Sequence, residues 1–217
     1  MTRIKEILTR LIILVFGLTI AHIGVTLFLL ANLGSDPFNV LIQGLFRTLS
    51  ALPGFGFLTH GYTHMSICFL IIIVLLIVDR SYIKIGTLVC MILGGPIIDV
   101  CTILFGDILN ENSPYIVRII GLVLGCIILA FGMTIVIKSE SGTGPNDLVA
   151  VVISDKSHKP FSVIRIITDV CFAAVGFFLG GNAFIGTVIC AFLVGPVAGF
   201  FMPFNESWIE RVVEKMK

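Results

Sequence analysis

Ile85 to Pro96 reads IGTLVCMILGGP, and Ile185 to Pro196 reads IGTVICAFLVGP. Seven of the twelve positions are identical, including a Gly-Thr pair followed eight residues on by Gly-Pro in both. Apolar residues recur by chance in any hydrophobic chain, but this spacing of Gly-Thr and Gly-Pro does not. An internal duplication is expected.

Working outward, a second pair of matching stretches appears upstream. Asn32 to Val40 reads NLGSDPFNV and Gly142 to Leu148 reads GTGPNDL, with Gly34 and Pro37 matching Gly142 and Pro145 at an offset of 108. The helical runs before them match at the same offset: Gly17 with Gly125, Gly24 with Gly132 and Thr26 with Thr134. Proline suits the first position of a helix, where its missing N–H is not needed, and Ser35 or Asp36 can cap the free donors there. Each half thus predicts helix, Gly-x-x-Pro break, short helix, helix and Gly-Thr helix. The fall in offset from 108 to 100 places about eight extra residues in the loop Leu52 to Gly61 of the first copy.

Of 217 residues, 57% are hydrophobic and 12% charged, and the mean hydropathy is +1.11. Soluble chains carry charge on about a quarter of their residues, so this composition indicates a polytopic membrane protein. A net charge of +1 and the lack of any basic tract exclude nucleic acid as a partner. The six cysteines lie in apolar runs without CxxC spacing and are expected to pack rather than bind metal or form disulfides. There is no HExxH, GxSxG or Walker loop, so neither enzyme activity nor a cofactor is expected, and active transport would draw on an ion gradient or a partner ATPase.

Six runs are long enough to cross a bilayer: Leu11 to about Ala31, Tyr62 to Val78, Ile85 to Phe105, Tyr115 to Ile137, Phe161 to Leu179 and Phe184 to Phe204. The short helix after Pro145 offers only about ten apolar-compatible residues where about 20 are needed. It and its partner after Pro37 therefore read as re-entrant half-helices, whose irregular backbone must be buried in protein or line a cavity. Three spans per copy is an odd number, which inverts the second copy relative to the first. The fold expected is an all-α polytopic membrane protein with an internal duplication, six transmembrane helices and two half-helices, arranged as an inverted repeat. Residues 1–106 form repeat 1, 107–205 repeat 2, and 206–217 an amphipathic helix lying flat at the interface, with Ser207 and Glu210 as its capping box. With the N-terminus inside, 12 of 14 Lys and Arg fall on the cytoplasmic side, leaving Arg47 and Arg118 outside. Both termini are expected in the cytoplasm.

Two Gly-x-x-Pro breaks, each opening a short helix, with Gly-Thr and Gly-Pro helices closing both halves, resemble the YczE/YyaS/YitT group of bacterial integral membrane proteins. The resemblance covers nearly the whole chain. It implies this fold and location, and a group described as uncharacterised proteins or transporters. Related sequences commonly read Pro-Trp-Asp at the first break, where this chain has Pro37-Phe38-Asn39.

Candidate solute-binding residues cluster at the two breaks: Gly34, Ser35, Asp36 and Asn39 at the first, Gly142, Thr143, Gly144, Asn146 and Asp147 at the second. Half-helix N-termini offer unpaired N–H groups and a partial positive charge suited to a polar or anionic group. The plainer alternative is that these residues only cap and turn the chain. Ionisable residues inside spans, His22, Asp99, Arg165 and Asp169, are candidates for coupling because they are costly in lipid. Arg165 and Asp169 stand at i, i+4 and can pair. Arg47, Arg118 and His64 sit near span ends, where snorkelling accounts for them. Gly86, Gly94, Gly95, Gly186 and Gly195, beside Thr87, Thr187, Pro96 and Pro196, are expected to pack the two Gly-Thr helices together at the core, with the threonines bonding across the contact. The function expected is a small secondary transporter or facilitator for a polar or anionic metabolite. The alternative is a non-transporting partner of another membrane complex. Its partners are the bilayer, an unnamed solute, and either a second copy or another membrane protein.

Overall fold

Long apolar runs flanked by Pro, Gly and charge fold here into helices with few irregular connections. The computed structural model describes residues 2–216 except 35, 56, 57, 59 and 182, with residues 2, 3, 29, 60–62 and 99 described by backbone alone. Among the described residues there are eight α-helices and no strand: α1 (Thr2–Ala31), α2 (Pro37–Ser50), α3 (His60–Asp79), α4 (Ile85–Phe105), α5 (Tyr115–Lys138), α6 (Pro145–Ser157), α7 (Phe161–Phe178) and α8 (Ile185–Lys215). A single 3-10 turn, Arg80–Tyr82, links α3 to α4. Six helices, all but α2 and α6, are long and apolar enough to cross a membrane. With many large apolar side chains exposed on their outer faces, this is the build of a polytopic membrane protein.

The core is the contact of α1 with α5. A Cβ on Gly24 would lie 2.3 Å from the Leu129 amide nitrogen and 2.6 Å from the Gly125 carbonyl oxygen, and one on Gly132 2.2 Å from the Ala21 nitrogen and 2.7 Å from the Gly17 carbonyl oxygen. Gly24 thus faces Gly125 while Gly17 faces Gly132. Advancing along α1 means retreating along α5, so the two helices run antiparallel. Small residues allow backbones to meet in a setting where packing, not hydrophobic transfer, drives association. Phe28, Leu122, Cys126 and Met133 fill the interior beside this line.

The other helices follow. α4 lies on α1, where Leu14 and Leu18 meet Cys90, and α8 lies on α5, where Cys190 and Val194 join the main cluster. α2 runs beside the C-terminal half of α7 in the same direction: Gly44 abuts the Gly176 carbonyl, Arg47 donates to the Gly180 carbonyl at 2.5 Å and Thr48 to that of Leu179 at 3.0 Å. α6 lies likewise beside the end of α3, where Leu148 and Val152 pack on Leu75 and Lys156 pairs with Asp79 at 3.4 Å.

Two expectations are corrected. The Gly-Thr helices α4 and α8 do not form the central pair: Gly86 backs onto Leu14 and the Ser141 carbonyl, Gly186 onto Leu122 and the Leu33 carbonyl. Gly195 instead faces Ser162 and Ile166 of α7, Gly94 faces the His22 ring, and Gly95 has nothing within 4 Å of its Cβ place. The helix–helix contact was already occupied by the α1–α5 pair. Nor does a separate helix start at Ser207. α8 continues unbroken to Lys215, the Ser207 carbonyl accepts from Arg211 at 3.0 Å, and Ile209 and Val213 are buried against Ile13 and Ile135. The apolar face that would suit a lipid interface is used on α1 and α5 instead.

Gly132→Ala should lower the stability of the purified protein by about 1–3 kcal/mol, the usual cost of overpacking a close contact. Gly95→Ala, with open space around it, should leave the thermal unfolding midpoint unchanged or raise it slightly. Equal effects of the two changes in a thermal melt would contradict this packing.

Candidate functional site

Where a helix breaks inside an apolar solvent, its freed backbone groups need named partners. Both breaks solve this in one way. After α1 the chain turns at Asn32 (φ 47) and Gly34 (φ 133); after α5 it turns at Glu140 (φ 58) and Gly142 (φ 128), each 108 residues on. The Leu33 carbonyl accepts from the Gly186 amide at 2.9 Å, and the Ser141 carbonyl from the Gly86 amide at 2.8 Å. Each break is thus clasped by the Gly-Thr helix from the other half of the chain. Glycine is required at Gly34 and Gly142, since their φ values suit no L side chain and a Cβ would meet Thr187 or Thr87 at 2.8 Å or less.

Two arginines complete the clasp. Arg118 donates to the carbonyls of Ala31 and Asn32 at 2.7 Å each, and Arg10 to the Ser139 carbonyl at 3.2 Å. Arg10 and Arg118 also stand 108 residues apart, as do Ala31 and Ser139. Cations at helix C-termini satisfy carbonyls that no backbone donor reaches. Snorkelling was expected for Arg118; the structure gives it this bracing contact instead. The offset of 108 carried the signal.

From these breaks the half-helices start with proline at their first position. The Asp36 carboxylate caps α2, accepting from the Asn39 amide nitrogen at 3.2 Å and the Asn39 side chain at 2.5 Å. In α6 the carboxylate sits one turn later: Asp147 occupies the position equivalent to Asn39 and accepts from Asn146 at 2.9 Å. One carboxylate therefore faces each half-helix dipole.

α7 adds the third element. Arg165 is 5% exposed and Asp169 1%. The guanidinium donates through Nε to Asp169 at 2.9 Å, the expected i, i+4 pair, and through a terminal nitrogen to Asp147 at 2.5 Å. Asp36 and Asp147 each lie within electrostatic reach of Asp169 and of His22. His22 binds the Leu18 carbonyl through Nδ1 at 2.8 Å and presents Nε2 toward Gly94. Buried Phe38, which no chemical motif singled out, meets His64 and Phe172 edge-on at 5.6 and 5.5 Å and closes the site on the α2 side.

Of the candidates, the structure gathers Asp36, Asn39, Asn146, Asp147, Arg165, Asp169 and His22 into one interior. Gly34, Gly142, Thr87 and Thr187 form the clasp. Gly144 opens α6, with the Asp147 carboxylate 3.6 Å from its Cβ place. Ser35 lies outside the described residues, and of Asp99 only the backbone, within α4, is described. The hydroxyls of Thr87 and Thr143 are buried, and no described residue bonds to them; Thr87 thus lacks the bond expected across a helix pair. A cavity of about 430 Å³ lies at the break after α5, lined by Lys84, Lys138, Glu140, Thr143, Ser154 and Asp155 among others, with none of the central charged residues in its wall. Among the described residues no group of His, Cys, Asp and Glu is placed to hold a metal ion.

Residues 8–203 match the profile of a family of unknown function, DUF6198. The chain belongs to that family. It is also similar to the uncharacterized membrane protein YczE of Bacillus subtilis (strain 168), 30% identical over 202 residues, 92% of this chain and 88% of the relative, which supports a YczE/YyaS-like family. An uncharacterized protein of Haemophilus influenzae (strain ATCC 51907 / DSM 11121 / KW20 / Rd) is 29% identical over 193 residues, covering 88% and 82%. The uncharacterized protein YyaS of Bacillus subtilis (strain 168) is 24% identical over 190 residues, covering 88% and 90%. No solved structure matches the chain. None of these relatives has a described activity, and YczE is described as a membrane protein.

Arg165→Met strands two carboxylates in the interior and should cost about 3–5 kcal/mol. Adding Asp169→Leu to it should recover part of that loss, as seen in the unfolding midpoint. A double variant no more stable than Arg165→Met alone would mean that the pair is not coupled.

Proposed function

We propose that this protein is a small secondary transporter or facilitator in the bacterial plasma membrane, with its solute site between the N-termini of α2 and α6. The observation that carries this reading is that the two interruptions, clasped at opposite ends of the antiparallel α1–α5 pair, send their carboxylates toward one interior, with Asp36 and Asp147 each within electrostatic reach of His22 in the middle of α1. Antiparallel α1 and α5, twin break conformations and reciprocal clasps support an inverted repeat, the architecture in which interrupted helices form a solute site near the midplane.

α2 has 14 residues and α6 has 13. At about 1.5 Å per residue these reach about 20 Å, short of the roughly 30 Å of hydrocarbon. Each starts beside the central charges and ends beside the close of α7 or α3, which fits segments that enter and leave on one side. The bias of Lys and Arg puts both termini and the mouth of the 430 Å³ cavity, where Lys84 and Lys138 stand, in the cytoplasm. Asp36 and Asp147 already answer the two helix dipoles, so a neutral polar or cationic solute suits the site between them better than an anion.

Proteoliposomes holding the purified protein, screened with small polar solutes, should take up at least one of them. That uptake should fall about tenfold or more in Asp147→Asn, a change worth roughly 1.4 kcal/mol. No flux of any solute, together with stable co-purification of one membrane protein, would replace this reading by that of a non-transporting subunit.

A further inference from the structure

The charges at the centre do not balance. Asp147 and Asp169 share one guanidinium, and Asp36 stands within electrostatic reach of Asp169. Asp147 is 18% exposed in its side chain and has Asn146 as a second donor, whereas Asp169 is 1% exposed and its Oδ1 receives no hydrogen bond from any described residue. The groups facing Asp169 are Arg165 on its own helix, Asp147 from α6, Asp36 from α2 and Cys190 from α8. Arg165 is the only cation among them.

A buried carboxylate oxygen with no donor, on a group whose one cation is shared with a second carboxylate, is more costly than a neutral hydroxyl in the same place. One more positive charge is needed at this point. We infer that Asp169 is a proton-binding site, holding a proton on its free oxygen in the state seen here, and that the proton is the coupling ion of the transporter proposed above, on which this second part rests. No covalent change in the solute is involved. The proton is taken from one side, carried as the O–H of Asp169 and released to the other.

The duplicated frame shows that this chemistry is confined to one copy. At the offset of 100, Arg165 and Asp169 correspond to Met65 and Phe69. A purely structural ion pair would join two groups of equal charge, and the third carboxylate would be superfluous.

Infrared difference spectroscopy on the full-length protein in lipid vesicles reads the proton directly. At neutral pH the wild type should show the stretching band of one protonated carboxyl group, sensitive to deuterium exchange. That band should be lost in Asp169→Asn and kept in Asp99→Asn. It should be lost as well in Asp147→Asn, where Arg165 is left for Asp169 alone, and this arm decides the matter if Asp169→Asn does not fold. No such band in the wild type, a band that survives either Asp169→Asn or Asp147→Asn, or one that disappears with Asp99→Asn would overturn the assignment. The band requires no solute, so it tests the proton site even where no flux is found; flux without the band leaves a transporter driven by something else.

Discussion

Two backbone hydrogen bonds, from the Gly86 amide to the Ser141 carbonyl and from the Gly186 amide to the Leu33 carbonyl, hold the places where the chain leaves helical geometry. Lipid offers no donor or acceptor to a broken helix, so each interruption must sit where another part of the chain can supply one. The start of a helix has free N–H groups and the end of a helix has free carbonyls. Bringing the start of α4 to the end of α5, and the start of α8 to the end of α1, satisfies both at once. The positive φ of Gly34 and Gly142 then turns the chain into the interior, and Arg10 and Arg118 take the carbonyls left over.

This arrangement fixes the position of the charges. Because both breaks turn inward, Asp36 and Asp147 reach the same region although the chain separates them by more than a hundred residues. Arg165 and Asp169, on α7, complete the group from the second half of the chain. Two matching breaks thus frame a set of charges to which only the second half adds an arginine.

The frame was legible because glycine and proline act locally. Gly34, Pro37, Gly142 and Pro145 announce turns and helix starts by the backbone states they permit, and the helix limits of α4 and α5 fell within a residue of those expected. The Arg165–Asp169 pair was legible for the same reason, since i, i+4 neighbours meet on any helix. The third partner, Asp147, was not, because eighteen residues and a chain reversal separate it from Arg165. Glycines on α4 and α8 showed that something approaches closely but not what; it was a chain break rather than a second helix. At Ser207 the local pattern of a helix cap gave way to tertiary packing, as burial of Ile209 and Val213 holds α8 straight through it.

The seam between α2 and α7 differs from its counterpart between α6 and α3. On one side glycines at 44 and 176 bring main chains into contact. Their equivalents, at offsets of 108 and 100, are Val152 and Leu76, and an apolar hollow of about 300 Å³ lies along that second seam. Branched side chains hold those backbones apart and can slide over one another, where interlocked glycines cannot. The α2–α7 seam therefore joins main chain to main chain, whereas α3 and α6 meet through side chains alone.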